Sequence, residues 1–253
     1  MDTALRRYDG ECCALYDHFT QRSLWGRVII MQYIYKYFDK EDHLQNFIDN
    51  GEVMFNQLSY FLYCEDKARR DGAEDSNIFR PENGLEITNL TTRVQFIDKS
   101  AFISQIKNPH RVFVFCTSTE YSDYLYKKFN SVGCIRIDLE KFKNKIRTQL
   151  LHHSVSVKNK IILADKICYY SEDNSHGTRY ACPDKIIMSK LLSFADESEY
   201  RFAFAQDKDA FEVNNVNLFI ANERAPLSEI KKPIGKLLTL GNLSEICQRV
   251  ITN

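Results

Sequence analysis

Residues Val112-Phe-Val-Phe-Cys116 form an unbroken apolar run of strand length, preceded by Pro109 and followed by the polar segment Thr117-Ser-Thr-Glu120. A strand that is apolar at every position has no solvent side, so it belongs in the middle of a sheet covered on both faces. Other segments differ in kind. Gly133 to Glu140 alternates Ile135, Ile137 and Leu139 with Arg136, Asp138 and Glu140, the pattern of a half-exposed strand. Val28 to Phe38 is β-branched and aromatic and reads as the first strand, with Ile34, Lys36 and Phe38 on one face and Tyr33, Tyr35 and Tyr37 on the other.

Helices are expected between these strands. Residues 1–27 carry apolar side chains at helical spacing and read as a helical N-terminal segment. Asp39 is placed to cap a helix that Gly51 ends, with Leu44, Phe47 and Ile48 facing inward. Further helices are predicted over Asp98 to Asn108, over Tyr121 to Asn130, through Phe142, Ile146 and Leu150, and from Pro183 to Phe194. Short strands are predicted at Glu52 to Asn56, Lys166 to Ser171, Val216 to Ile220 and Leu237 to Leu240, and Leu243 to Val250 adds a further strand-like or helical piece. Between Leu58 and Asn89 a mixed-charge run from Glu65 to Asp75 reads as a solvated loop. Short strands interleaved with short helices, without regular β-α-β spacing, predict an α+β fold with a split or barrel-like sheet, and no linker divides residues 1–253 into more than one domain.

Composition narrows the function classes. Lys plus Arg and Asp plus Glu number 34 each, so no global field draws the chain to nucleic acid or to an anionic membrane. The eight cysteines show no C-x-x-C pair and no Cys/His spacing suited to zinc, which fits reduced thiols in a cytoplasmic protein. No apolar run is long enough to span a bilayer, so no membrane partner is expected. Glycine-rich phosphate loops, H-E-x-x-H and G-x-S-x-G are absent from the sequence. His152 and His153 read as dipole-favouring residues at a helix end, and Cys116 as packing rather than a nucleophile.

Three polar features remain. The first strand carries Tyr35-Lys36-Tyr37, the central strand ends in Thr117-Ser118-Thr119, and Ser193 to Ala205 reads as a strand. In that strand Tyr200, Phe202 and Phe204 share one face and Glu197, Glu199 and Arg201 the other. Three ionisable groups in a row on a strand need water or a polar ligand, so this face is either a solvated surface or a site.

In this order the three features resemble the mono-ADP-ribosyltransferase fold, an ADP-ribosyltransferase-like split β-sheet with surrounding helices. The resemblance implies NAD as substrate, with no metal. Lys36, with Tyr35 and Tyr37, would take the position on the first strand, Ser118 with Thr117 the middle-strand position, and Glu199 the catalytic one, while Glu197 would orient or activate the acceptor. In that family an Arg or His usually stands where this chain has Lys36 or Tyr35, and the middle segment here reads Cys-Thr-Ser-Thr. The chain also resembles bacterial proteins found at phage-defence and toxin–antitoxin loci. They share the Tyr-Lys-Tyr strand, an Asp-x-x-x-Arg-Asp segment like Asp66 to Asp71, E-x-E-Y-R, and a late Gly-x-Leu-x-x-Ile like Gly241 to Ile246. The likeness implies a toxin or antiviral enzyme that modifies RNA, DNA or protein and pairs with a cognate antitoxin. Arg69, Arg70, Lys127 and Lys128 are the candidate basic face for a nucleic-acid acceptor. Two other readings stand beside it: a non-enzymatic sensor or interaction module on the same fold, and a metal-dependent nuclease using Asp66, Asp71 and the glutamates.

Overall fold

A computed structural model describes residues 31–63, 74–80, 82–152, 162–171, 182–205, 208–220 and 234–251. The first half comprises β1 (Tyr33–Phe38), α1 (Glu41–Asp49), β2 (Glu52–Gln57), α2 (Leu58–Tyr63), β3 (Ser76–Phe79), β4 (Leu85–Thr88), β5 (Gln95–Asp98), β6 (Phe102–Ile106) and β7 (Val112–Ser118). The second half comprises α3 (Asp123–Lys128), β8 (Gly133–Asp138), α4 (Leu139–His152), β9 (Ile162–Lys166), β10 (Cys168–Tyr170), α5 (Pro183–Ile187), β11 (Ser189–Leu191), β12 (Glu199–Ala205), β13 (Val216–Ile220), β14 (Gly235–Thr239) and β15 (Cys247–Arg249). The fold is α+β with antiparallel sheets, as the sequence predicts. The predicted helix over residues 1–27 lies outside the described residues. Among the described residues no helix is long and apolar enough to cross a membrane.

Strand β7 is the hub. It pairs along its whole length with β12, which pairs in turn with β9. On its other edge it meets two strands in succession: Val114 and Phe113 pair with Asn56 and Gln57 of β2, and Ser118 pairs with Tyr35 of β1. The eight-stranded sheet therefore forks at β7 into one arm, β2-β14, and another, β1-β8-β15. Between the arms the edge from Phe115 to Thr117 faces a gap.

Both faces of β7 are covered, as its unbroken apolar sequence requires. Phe113 and Phe115 join Phe202 and Phe204 of β12, Phe55 of β2, Phe47 of α1 and Phe142 of α4 in the larger core. Val112 and Val114 face a second core made with Ala203, Leu58, Leu163 and the α5 residues Ile186 and Ile187. Gly51, at φ +65, ends α1 beside Gly241, whose carbonyl oxygen a Cβ at position 51 would meet at 2.3 Å.

Several expectations are corrected. Asp98 to Asn108 is not a helix: Phe102–Ile106 is β6, buried at every position between β3 and β13, where a one-sided helix would leave half its surface wet. The helix begun at Pro183 stops at Ile187, because Ser189–Leu191 pairs in parallel with β10. Residues Leu192–Glu197 form a 3-10 helix, so Glu197 does not lie on a strand. The predicted strand from Lys166 to Ser171 is two strands, β9 ending at Lys166 and β10 over Cys168–Tyr170. Lys40 rather than Asp39 stands at the α1 N-cap, with no side-chain cap. Cys247–Arg249 is a strand against β8. The charged run from Glu65 falls mostly outside the described residues, but its end is no solvated loop: Glu74 and Asp75 are buried.

Phe202 is fully buried and its ring meets those of Phe115, Phe142 and Tyr200. Phe202→Ala is expected to lower unfolding stability by about 3–5 kcal/mol. Denaturant titration checks it, and a loss under about 1 kcal/mol would show that the aromatic layer between β7, β12 and α4 is not the core it is described to be.

Candidate functional site

The gap in the fork opens into a cavity of about 490 Å³, within the range of roughly 300–1,000 Å³ typical of small-molecule sites. Its wall includes Lys36 of β1, Cys116 and Ser118 of β7, Glu199 and Arg201 of β12, Met54 and Asn56 of β2, and Tyr60 and Phe61 of α2. Lys190, Glu197 and Glu74 complete the ionic end.

Pairing register explains why residues so far apart in sequence meet. Ser118 lies directly opposite Tyr35 on one side and directly opposite Glu199 on the other. Directly opposed residues of antiparallel strands share a face, so Tyr35, Ser118 and Glu199 form one row across three strands. The next row on the same face of β7 and β12 is Cys116 opposite Arg201. Lys36 projects from the other face of β1, where its ammonium donates to the Cys116 carbonyl at 2.8 Å and lies 4.6 Å from the centre of the Phe115 ring. That carbonyl belongs to the stretch of β7 left between the arms of the fork.

The remaining predicted residues are placed as follows. Tyr37 also lines the cavity, but its hydroxyl donates to the Glu120 carbonyl and accepts from the Ser122 N–H, and its ring stacks on Tyr121. Burial pushes its phenol well above the usual range. Thr117 turns its hydroxyl to the Tyr200 carbonyl at 2.9 Å and braces β7 to β12. The Ser118 hydroxyl donates to the Ser198 carbonyl at 3.4 Å and accepts from the Glu120 N–H at 3.2 Å. It thereby ties the end of β7 to the turn before Glu199. Asp66, Arg69, Arg70 and Asp71 lie outside the described residues.

The glutamates sit in an alternating chain of charges. Arg201 Nη2 meets Glu74 Oε1, and Arg201 Nε donates to Glu199 Oε1 at 2.7 Å. Lys190 bridges Glu199 Oε2 at 3.2 Å and Glu197 Oε2 at 2.7 Å. Lys128 of α3 closes the chain on Glu197 Oε1 at 3.0 Å and Asp196 at 2.9 Å. Arg201 has no exposed surface at all, and one of its remaining N–H groups donates to the Ile187 carbonyl. Burial disfavours the charged form of Glu199, but the adjacent Arg201 and Lys190 outweigh it and, with the Cys116 thiol, hold the carboxyl well below the usual carboxylate range. Burial, reinforced by Glu199, pushes the Cys116 thiol far up, so it is a neutral hydrogen-bond donor rather than a nucleophile.

Backbone geometry aims the chain. Ser198 adopts φ +45, a left-handed turn between the 3-10 helix and β12. Its carbonyl accepts from the Thr119 N–H and its hydroxyl donates to Glu120. This turn lets Glu197 and Glu199 converge on one ammonium although they belong to different elements.

Sequence reasoning finds Lys36, Ser118, Glu197 and Glu199 and misses Lys190 and Glu74; Lys128, expected on a basic face for an acceptor, is instead paired with Asp196 and Glu197. The three charges placed together on one strand face are joined differently: Arg201 joins Glu199 to Glu74, and Lys190 joins the two glutamates to each other. The signal for Lys190 is its setting, one cation amid Ile186, Ile187, Met188, Leu191 and Leu192, where an unpaired charge would be prohibitive. Glu74 closes a charged run and carries no such signal. Comparisons with protein-family models, curated proteins and solved structures find no match for this chain.

Breaking a buried pair leaves its partner charged and unsatisfied, so Arg201→Met is expected to cost about 3–5 kcal/mol in denaturant unfolding. Adding Glu199→Gln to that variant should recover part of the loss. Glu199 is more acidic folded than unfolded, so its contribution is complete above its unfolded value of about 4.3 and disappears as pH falls toward the folded value. Wild-type stability should therefore drop on acidification below about pH 4 more steeply than that of Glu199→Gln. Parallel acid profiles would sever Glu199 from the ionic chain.

Proposed function

We propose that this protein binds NAD in the forked cleft and transfers ADP-ribose to a macromolecular acceptor, as an ADP-ribosyltransferase-like split-sheet enzyme of the bacterial toxin or antiviral kind. The observation that carries the reading is the row Tyr35–Ser118–Glu199, which brings one residue of each of the three polar features to one face in the wall of one cavity. Its size, its aromatic side walls and its ionic end suit a ligand that is part ring system and part polar.

The chemistry follows from the state of Glu199. In the proposed reaction the bond between C1′ of the ribose and the nicotinamide nitrogen breaks, and nicotinamide leaves with the bonding pair. Positive charge develops on C1′ and the ring oxygen until the acceptor nucleophile adds to C1′ and releases its proton to water. A carboxylate held ionised by Arg201 and Lys190 is a weak base. Its contribution is a fixed negative charge and a hydrogen-bond acceptor for a ribose hydroxyl, both of which favour an oxocarbenium-like state. Tyr35 is a cleft ring placed for stacking, and Lys36 is a cation on the opposite wall. Glu197, clamped on both oxygens by Lys128 and Lys190, supports the ionic chain in this reading rather than activating the acceptor.

That clamping also favours a second reading, a sensor or interaction module that binds a ligand in the cleft without turnover. Purified protein incubated with NAD labelled in the adenosine half, together with cell extract, separates the two. Transfer of label to RNA, DNA or protein with stoichiometric nicotinamide release is expected, and Glu199→Gln should lower the rate by about 10²-fold or more, the scale of losing an electrostatic stabiliser. Calorimetric NAD binding with no nicotinamide release would favour the sensor; neither binding nor release would sink both NAD readings.

A further inference from the structure

Lys190 is the charged group of the cleft with the most elaborate delivery. It sits on β11, which pairs in parallel with β10 so that Tyr169 lies opposite Lys190. The same strand pair serves Glu199 twice: Tyr169 accepts the Glu199 backbone N–H at 2.8 Å, and Lys190 takes the Glu199 carboxylate at 3.2 Å. The ammonium is buried, lies 4.7 Å from the centre of the Phe194 ring, and reaches Glu197 at 2.7 Å. Phe194 and Glu197 belong to the 3-10 helix that leads into β12. One side chain therefore touches both the proposed catalytic carboxylate and the segment that aims it.

We infer that Lys190 is the positioning residue of this cleft, the shared counter-ion that keeps the Glu197 and Glu199 carboxylates side by side and directs Glu199 at the ligand. The inference rests on the NAD reading only for what the ligand is. Two carboxylates that converge on one cation repel each other once it is removed, and Glu199 then loses one of the two cations that keep it ionised. The groups facing the pair are Arg201 and Glu74 beyond Glu199, Cys116 on β7, Tyr169 on β10, Lys128 and Tyr124 on α3, and Asp196 beside Glu197. Of the cations, Arg201 serves Glu199 and Lys128 serves Glu197, and Lys190 alone among the described residues joins the two. Burial opposes its charge, but Glu199, Glu74 and Glu197 hold the ammonium well above the ordinary lysine range.

The experiment compares full-length wild type with Lys190→Met and Lys190→Arg, each carrying ¹³C at the glutamate side-chain carboxyls. Glu197→Gln and Glu199→Gln identify the two resonances. Lys190→Met should raise the titration midpoint of the Glu199 carboxyl by at least about one pH unit, a tenfold gain in proton affinity. Lys190→Arg, which keeps the charge, should leave the pair as in wild type. Lys190→Gln takes the place of the methionine variant should that fail to fold. Carboxyl titrations unchanged by the loss of charge would overturn the inference. In the nicotinamide-release assay, Lys190→Met should lower kcat by about 10²-fold with KM changed less, and give a rate that rises with pH where wild type is flat. A fall confined to KM would also overturn it. If wild type releases no nicotinamide the NAD reading fails, while the carboxyl titrations still decide the role of Lys190.

Discussion

The ionic chain Glu74–Arg201–Glu199–Lys190–Glu197–Lys128–Asp196 is the constraint on which the site depends. Taking a guanidinium with no exposed surface out of water costs several kcal/mol, and only close carboxylates on well-defined geometry offset that. The chain therefore fixes more than side chains. Glu74 ties the segment before β3 to β12, Lys190 ties β11 to β12, and Lys128 ties α3 to the 3-10 helix. Charge thus links separate elements, some far apart in sequence. A buried ion pair adds little net stability over a hydrophobic pair of the same shape. Here the chain specifies one arrangement of the cleft rather than raising the stability of the whole.

The fork supplies the space that the chain borders. A continuous sheet would pair every backbone group of β7 on both edges and leave no opening. Here β2 takes the first part of that edge and β1 the last, so Phe115 to Thr117 looks into the gap and the Cys116 carbonyl is met by the Lys36 ammonium instead of a strand. Aromatic packing on the far side makes this tolerable, because Phe115 is clasped by Phe47, Phe55, Phe142 and Phe202 and does not need a neighbouring strand to stay in place. The hydrophobic core thus holds the fork open, and the ionic chain closes one side of it.

What the sequence reveals follows the range over which each signal acts. Alternation and apolar runs are local, so β1, β7, β8 and β12 are legible as strands though not to their ends, as is the sharing of one face by Tyr200, Phe202 and Phe204. β6 is misread because Phe102, Ile103 and Ile106 satisfy a helical spacing as well as a strand buried on both sides, and only its neighbours β3 and β13 distinguish the two. Glu197 is misplaced because a left-handed Ser198 leaves no strong local mark, whereas a glycine there would have signalled a break. The row Tyr35–Ser118–Glu199 is visible as three motifs but not as a row, since register between distant strands is written in no single segment. Glu74 and Lys190 are invisible as partners for the same reason.

Glutamates paired with cations at first sight argue against the proposed catalysis, and the arrangement of the charges answers that objection. The chain contains four carboxylates and three cations, and two of those cations flank Glu199. Arg201, Lys190 and the Cys116 thiol supply three donors to Glu199, and a carboxylate offers about four lone-pair directions, so one remains for a ligand hydroxyl. At an effective dielectric near 20, a unit charge about 4 Å from a carboxylate is favoured by roughly 4 kcal/mol, close to three tenfold steps in rate. A free carboxylate would gain as much but would also be free to protonate or swing away. Held between two cations it loses part of that field and keeps its charge, orientation and place. For a reaction whose charge develops on a sugar carbon rather than on a transferred proton, a fixed charge is worth more than an adjustable base.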